Sequence, residues 1–190
     1  MRLIVAEGEQ AKSEPGSNAT RYRVGVLLYF RNEDGKVLLI KRAKRPNLGL
    51  WCAIGGKLEM DTGESPFECA RREAMEEVGV DLSDEDLAMR CMLSEESYEG
   101  TGHWLMFLFE IRKRLSSLPE AIDEGEFGFF DVEELPGLEM PPLDRAIAIS
   151  RILNPDAPAF SVLRAPHGAE NDPDMLECVE TVGWNAGSPR

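Results

Sequence analysis

The chain has 190 residues, which is long enough for one domain with a substantial hydrophobic core. A hydrophobic content of 43% and a charged content of 29% are typical of a globular, soluble domain. The formal net charge of -14 argues against a nucleic-acid partner, because phosphate backbones bind surfaces rich in Lys and Arg.

Membrane insertion and secretion are also not expected. The chain contains no apolar run of about 18 residues, the length that a transmembrane helix needs. Residues 1–6 are followed at once by Glu7, so no secretory hydrophobic region is recognised. The four cysteines are scattered without a Cys-x-x-Cys spacing, which indicates reduced thiols. We therefore expect a cytoplasmic protein with no membrane partner. The oligomeric state stays open, with a homodimer among the options.

The predicted elements begin after a polar segment, residues 1–20, which we expect to be a flexible lead-in. Residues 21–31 alternate apolar and polar side chains, which predicts a strand, and residues 37–40 are its predicted return strand. A loop at residues 43–49 separates this hairpin from a further apolar segment, residues 50–54.

A short helix follows, and it is the most informative element. Ser65 suits an N-cap, Pro66 suits the first helical position and Gly79 suits the stop. Together they predict a helix over residues 66–78. The helical period places four apolar residues on a core face: Phe67, Ala70, Ala74 and Val78.

Three glutamates, Glu73, Glu76 and Glu77, occupy the neighbouring face of this helix. Like charges at this spacing repel by a few tenths of a kcal/mol when exposed, and by more near a core. Raised pKa values or a bound cation would relieve the repulsion. Adjacent glutamates on a helix usually mean only a solvated face, but the flanking glycine pair and the helix caps favour a cation site. Carboxylate oxygens suit Mg²⁺, which substrate phosphates often help to bind.

The later elements complete an alternation of strands and helices. Residues 87–93 and 103–111 are predicted strands, residues 126–132 a short strand, and residues 142–153 a helix. The tail, residues 154–190, contains two apolar segments that suit either an accessory hairpin or an edge strand. This order predicts an α/β fold.

Residues 72–80, Arg-Glu-Ala-Met-Glu-Glu-Val-Gly-Val, resemble the second half of the Nudix box, R-E-U-x-E-E-x-G-U with U apolar. Glu64 stands at the position of the box's preceding glutamate. The resemblance implies an α/β/α sandwich around a mixed β-sheet, with a hydrolase domain at residues 21–153 and a C-terminal extension at 154–190. One departure is a two-residue insertion near residues 60–62, which could displace the Gly56 carbonyl.

Site roles follow from the resemblance, position by position. It implies a Mg²⁺ site, with Mn²⁺ as an alternative, in which Arg72 and Glu64 are supporting catalytic residues. The metal ligands it implies are Glu73, Glu76, Glu77 and the backbone carbonyl of Gly56.

Other groups are needed for phosphate contact, proton transfer and base binding. Lys57 is a candidate phosphate contact, although a loop lysine is more often only solvated. The general base is either Glu73 or a carboxylate before a later strand, with Glu124 and Glu126 as the local candidates. A nucleobase needs an apolar or aromatic slot. The available aromatic residues are Tyr29, Trp51, Tyr98, His103 and Trp104.

Members of the family hydrolyse nucleoside diphosphates linked to another group. Residues 49–51 and 141–145 are similar to members that remove oxidised nucleoside triphosphates. The first hypothesis is therefore a hydrolase that cleaves a (deoxy)nucleoside triphosphate to a monophosphate and pyrophosphate. The alternatives are a diphosphatase for an ADP-sugar or another nucleotide conjugate, and a non-catalytic nucleotide-sensing module.

Overall fold

The computed structural model describes residues 22–98 and 102–182. The expected lead-in and the tip of the loop around residue 100 lie outside these ranges. The strands are β1 (Tyr22–Asn32), β2 (Val37–Arg42), β3 (Trp51–Cys52), β4 (Leu87–Glu95), β5 (His103–Leu115), β6 (Gly125–Phe130), β7 (Phe160–Ala165) and β8 (Glu177–Val182). The helices are α1 (Pro66–Glu73) and α2 (Pro142–Ile147), continued by π-helical turns at Ala74–Val78 and Ala148–Ile152, with 3₁₀ turns at Asp84–Asp86, Val132–Gly137 and Pro173–Met175.

The strands form a mixed sheet. β1 pairs parallel with β5, β5 pairs antiparallel with β4, and β4 pairs parallel with β7. β2 pairs antiparallel with β6 and β3, but it meets β1 only near the turn, at the Arg31–Val37 pair. Where β1 and β2 diverge, residues 54–58 cross beside β1 through the bridges Leu28–Ile54 and Gly25–Lys57. This crossing places the glycine loop directly before α1 against the central strand.

Helices cover both faces of the sheet. On one face, Ala70 of α1 and Ala74 of the π-helical turn after it pack with buried residues such as Phe30 and Phe109. On the other face, Leu143 and Ile147 of α2 pack with a second buried cluster. Burial of a side chain of this size contributes about 1.5–3 kcal/mol. The predicted α/β/α sandwich is therefore confirmed.

Helix α1 begins as the sequence predicts. The Ser65 side chain accepts the Glu68 backbone N–H while the Glu68 carboxylate accepts the Ser65 N–H, and Pro66 occupies the first turn. Gly79 ends the helix with a φ of 71°, a left-handed conformation that glycine adopts without penalty. The expectation of a regular 3.6-residue period is wrong for the last turn, because Ala74–Val78 is π-helical. This wider turn carries Glu76 and Glu77.

The C-terminal segment extends the sheet. β7 lies beside β4, and β8 pairs antiparallel with β7 at the outer edge, with every residue of β8 exposed. Both alternatives for the tail are thus realised, since a hairpin of two strands continues one edge of the sheet. The domain limits that we assign from the sequence stay a prediction.

Two further expectations concern cysteines and membranes. All four cysteines are free thiols, and only Cys178 is exposed. No helix among residues 22–98 and 102–182 combines the length and apolarity that crossing a membrane requires.

Candidate active site

A groove of about 630 Å³ lies between the glycine loop, the end of α1 and the segment before β6. Seven of the site residues predicted from the sequence line this groove: Gly56, Lys57, Arg72, Glu73, Glu76, Glu77 and Glu124. The local fold explains this convergence, because the backbone N–H of Val26 on β1 donates to the Gly56 carbonyl over 2.9 Å and fixes the loop. Most of the sequence-predicted site thus occupies one groove.

Two of the predicted catalytic residues, Glu64 and Glu126, are not part of the groove wall. Glu64 binds Arg72, which does line the groove, whereas the Glu126 side chain is exposed on β6. The strand explains the difference, because Phe127 turns into the core and Glu126 therefore turns to solvent. Glu124 instead lies in the turn before β6, where its backbone carbonyl accepts the Ala43 N–H over 2.7 Å.

Arg72 organises the carboxylates. It donates to both oxygens of Glu64, over 2.8 Å from Nε and 3.0 Å from Nη2. Nη1 donates to Glu73 over 2.7 Å and to Glu76 over 3.1 Å, while Nη2 also reaches the Lys57 carbonyl. The bond from Arg72 is the main reason why the pKa of Glu64 lies below its ordinary value. A two-pronged guanidinium contact of this kind fixes geometry as well as charge.

Glu73 and Glu77 are held in a poorly hydrated environment. Only 8% of Glu73 is exposed, and burial raises its pKa although Arg72 opposes the shift. Burial, followed by the charge of Glu73, raises the pKa of Glu77 to about 7. Glu124 adds to that shift, so it lies near enough to Glu77 for their charges to interact. The groove therefore concentrates negative charge that a cation would offset.

The side chains of the groove do not by themselves form a complete metal coordination site. Among the residues that the structure describes, no group of three or more His, Cys, Asp or Glu side chains is arranged to hold a metal ion. Glu76 is 58% exposed at its side chain and turns toward Arg72, and Glu77 accepts the Gly55 N–H over 3.3 Å. An ion here would need ligands beyond these side chains, as Mg²⁺ does when it keeps waters and binds phosphate oxygens.

The donor groups nevertheless fit a hard cation. All of them are oxygens, the type that Mg²⁺ and Mn²⁺ prefer. Gly56 lies directly against Glu73, since a Cβ added at Gly56 would come within 1.9 Å of Glu73 Oε1. The Gly56 carbonyl accepts one N–H from Val26, and a carbonyl oxygen has a second lone pair for another partner.

The two-residue insertion is absorbed by an exposed turn. The Glu59 carbonyl accepts the N–H and hydroxyl of Thr62, while the Glu59 N–H donates to Glu64 over 2.7 Å. Met60 is 66% exposed at the tip of this turn. Glu64 therefore reaches Arg72 despite the added residues.

A second, more apolar cavity of about 250 Å³ adjoins the groove and shares Arg42, Gly55, Gly56 and Lys57 with it. Two of the aromatic candidates, Tyr98 and Trp104, line this cavity. Three others do not: Tyr29 is buried in the core, Trp51 packs on Phe130, and His103 accepts the Ser97 N–H. Two carboxyl residues, Glu95 and Asp144, also line the cavity.

Sequence reasoning misses Glu95 altogether. A glutamate at the end of a strand usually faces water, and Glu95 stands beside Glu96, which does. Only the pairing of β4 with both β5 and β7 shows that Glu95 lies inside the sheet. Asp144 belongs to the segment at 141–145 that we compare above with enzymes that remove oxidised nucleotides, but no role is assigned to it there.

The sequence model of the NUDIX domain family matches residues 21–150 of the chain. A mixed sheet between helices, with the glycine loop beside β1 and the glutamate helix on one face of the sheet, defines the class of protein. The chain belongs to the Nudix hydrolase family, and it is a hydrolase that acts on phosphoric anhydrides.

Similar proteins agree with this membership. The Nudix hydrolase YvcI of Bacillus subtilis is 30% identical over 112 residues, which is 58% of this chain and 68% of that protein. The 8-oxo-dGDP phosphatase of Homo sapiens is 38% identical over 87 residues, which is 46% of this chain but only 24% of that protein. The MutT structure from Bacillus halodurans has a TM-score of 0.60 at 23% identity, covers 83% of this chain and 95% of its own, and supports the fold.

Proposed function

We propose that the chain hydrolyses a (deoxy)nucleoside triphosphate to a monophosphate and pyrophosphate, and that it requires Mg²⁺ or Mn²⁺. The observation that carries the proposal is the junction of two spaces. An acidic groove that fits a cation and a phosphate chain shares part of its wall with an apolar cavity that suits a nucleobase. Lys57 and Arg42 line both spaces, at the point where a phosphate chain would join the nucleoside.

The protein's own residues have separate roles in this proposal. Glu73, Glu77 and Glu76, with the Gly56 carbonyl, would hold the divalent ions. When bound, such ions neutralise phosphate charge and lower the pKa of an attacking water. Arg72 fixes the orientation of Glu73, and Glu64 fixes Arg72. These supporting contacts typically matter by a factor of about 10–100 in metal affinity or activity.

The remaining role is that of the general base, which accepts a proton from the attacking water. Glu124 suits it better than Glu126, because Glu124 lines the groove near Glu77 and Glu126 does not. Glu73 suits it less well than Glu124, since one of its oxygens already accepts a hydrogen bond from Arg72. The Glu124 side chain is 41% exposed, and its contact with Lys44 is long, at 3.5 Å. The carboxylate is therefore accessible to water.

A nucleotide conjugate is the second candidate substrate. The ADP-ribose pyrophosphatase of Methanocaldococcus jannaschii is 32% identical over 106 residues, which is 56% of this chain and 60% of that protein. The groove of about 630 Å³ is also large enough for more than a phosphate chain. A purely sensing module is not favoured, because the three helix glutamates and Arg72 all face the groove.

The test is a panel of nucleoside triphosphates, nucleoside diphosphates and ADP-sugars incubated with Mg²⁺ or Mn²⁺. Pyrophosphate and a monophosphate from a triphosphate are the expected products. Two monophosphates from an ADP-sugar would favour the second candidate. A variant of Glu77 to Gln should lose at least 100-fold in activity while keeping its fold, because the charge is removed without a change of volume. Glu180→Gln, on the exposed strand β8, is the matched control.

A further inference from the structure

Three arginines meet between the sheet and the end of the second helix. Arg31 is on β1, Arg90 is on β4, and Arg151 belongs to the π-helical turn that continues α2. We call these three residues the arginine cluster. The formal net charge of the chain is -14, so a concentration of positive charge at one place requires an explanation.

Arg31 and Arg90 lie on either side of one carboxylate. Glu110 is on β5, which pairs with β1 on one side and with β4 on the other. Its carboxylate is 4.0 Å from Arg90 Nε. Burial lowers the pKa of Arg31, and the charge of Glu110 opposes that shift, so the two groups are close enough to interact. Glu110 is therefore shared by two guanidinium groups.

Arg151 approaches the same place from the helical side. Arg31 Nη2 donates to the Leu153 carbonyl over 3.2 Å, which joins β1 to the end of the helical turn that carries Arg151. Burial raises the pKa of the Cys91 thiol to about 11, and the charges of Arg151 and Arg90 oppose that shift. Both guanidinium groups therefore lie near the same buried residue of β4.

The arginine cluster has more donors and more positive charge than its surroundings satisfy. The Nε atoms of Arg31, Arg90 and Arg151 are buried, and none of them has a hydrogen-bond partner in the part of the chain that the structure describes. Among those described residues, Glu110 provides the one carboxylate within 4.0 Å of the three guanidinium groups. Buried donors without partners and buried charges without counter-charges are both unfavourable. A ligand that supplies oxygen acceptors and negative charge would remove both deficits.

The guanidinium group selects the chemistry of that ligand. Its planar fork of N–H donors matches the oxygens of a phosphate group, for which Arg is a preferred residue. A doubly charged phosphate group would offset the two guanidinium charges that Glu110 does not. Arg114 is exposed opposite Arg31 in the sheet register and adds a cation for a second phosphate group.

The arginine cluster suits a small soluble anion better than a lipid surface. The Arg90 side chain is only 19% exposed, so it is recessed rather than presented on a flat face. The net charge of the protein would also oppose its approach to an anionic membrane.

The arginine cluster is separate from the candidate active site. Val26 and Leu27 line the apolar cavity, and Arg31 lies about 13–16 Å further along β1 at the usual rise per residue. Asp144, near the start of α2, also lines that cavity, whereas Arg151 lies beyond the other end of α2. An anion at the arginine cluster would therefore not occupy the groove.

We propose that the arginine cluster is a second ligand site, which binds a small molecule bearing a phosphate group at the end of α2 remote from the groove. The site is independent of the proposed function, because it shares no residue with the groove or the apolar cavity. A bound phosphate group would connect β1, β4 and the helical turn through the three arginines.

Calorimetric titrations with inorganic phosphate and with pyrophosphate test this site. EDTA in the buffer removes the divalent ions that phosphate binding in the groove requires under the proposed function. The wild type should bind pyrophosphate, and Arg151→Gln should bind it at least about tenfold more weakly, because hydrogen bonds to a charged group are lost. Arg164→Gln is the matched control, since Arg164 is an exposed arginine of β7 that already pairs with Glu96 and Glu177, and it should keep the wild-type affinity. Arg90→Gln replaces Arg151→Gln if that variant does not fold.

A groove variant distinguishes the two places where an anion can bind. Lys57→Gln should keep the wild-type affinity in EDTA, because Lys57 lines the groove and the apolar cavity. Weaker binding in Lys57→Gln with unchanged binding in Arg151→Gln would assign the anion to the groove and overturn the proposal. Failure of the wild type to bind either probe would also overturn it, as would equal affinities in Arg151→Gln and Arg164→Gln.

Discussion

The buried carboxyl of Glu95 makes the stability of the protein depend on pH. Burial raises the pKa of Glu95 from its ordinary 4.5 to about 8 in the folded state. Between these two values the folded protein keeps the proton and the unfolded chain loses it. The contribution of Glu95 to stability is therefore fully present below about pH 4.5 and is lost as the pH rises through this interval to about 8.

The size of the effect follows from the shift. Each tenfold change in proton affinity corresponds to about 1.4 kcal/mol, so the full shift from 4.5 to about 8 sets an upper limit of about 5 kcal/mol. Glu95→Gln removes the ionisation without changing the volume. We expect the variant to be more stable than the wild type at pH 9, by about 2 kcal/mol or more. At pH 5, where Glu95 is neutral in the folded protein, the two should differ by less than about 1 kcal/mol.

Urea unfolding at pH 5 and pH 9 measures this difference directly, with Glu96→Gln as the control for a partly exposed glutamate. The control should shift the unfolding free energy by less than about 0.5 kcal/mol at either pH. Equal differences between Glu95→Gln and wild type at both pH values would show that the pKa of Glu95 in the folded protein is ordinary, which would contradict the expected dependence on pH.

Three further substitutions probe the groove and the core. Arg72→Lys should lower kcat about 10–100-fold with little change in KM, since a lysine cannot hold Glu64 and Glu73 together, and steady-state kinetics would show it. Gly56→Ala should reduce activity by a similar factor or more, because the new Cβ would lie within 1.9 Å of Glu73 Oε1 and displace that carboxylate; activity equal to wild type would contradict this placement. Phe109→Ala should cost about 3–5 kcal/mol in urea unfolding, because Phe109 is fully buried under α1, and a loss below about 1 kcal/mol would show that the face is loosely packed.

The sequence predicts the candidate catalytic groove better than the cavity beside it. Ser65, Pro66 and Gly79 act within one helix, so their local chemistry is enough to place α1 and the side that carries Glu73. The match of residues 72–80 to the Nudix box adds the glycine loop and Arg72. The contacts that cap and orient this helix join residues that are close together in the chain, so the sequence alone is enough to predict them.

Other features depend on how distant segments meet. The spacing of the apolar residues does not distinguish the π-helical turn that carries Glu76 and Glu77 from a regular α-helical turn. Glu126 and Glu124 are equivalent in sequence, and only the pairing of β6 with β2 turns one to solvent. Glu95 becomes buried because β7, which lies far along the chain, pairs with β4.

We propose above that Glu73 of α1, with Glu76 and Glu77 of the π-helical turn after it, gathers a divalent ion together with a nucleotide. The most direct test is calorimetric titration of Mn²⁺ into the protein with a non-hydrolysable nucleoside triphosphate analogue, for the wild type, Glu77→Gln and Glu180→Gln. We expect saturable Mn²⁺ binding in the wild type and in Glu180→Gln, and affinity at least about tenfold weaker in Glu77→Gln. Equal affinity in all three proteins, or no binding in any of them, would contradict it.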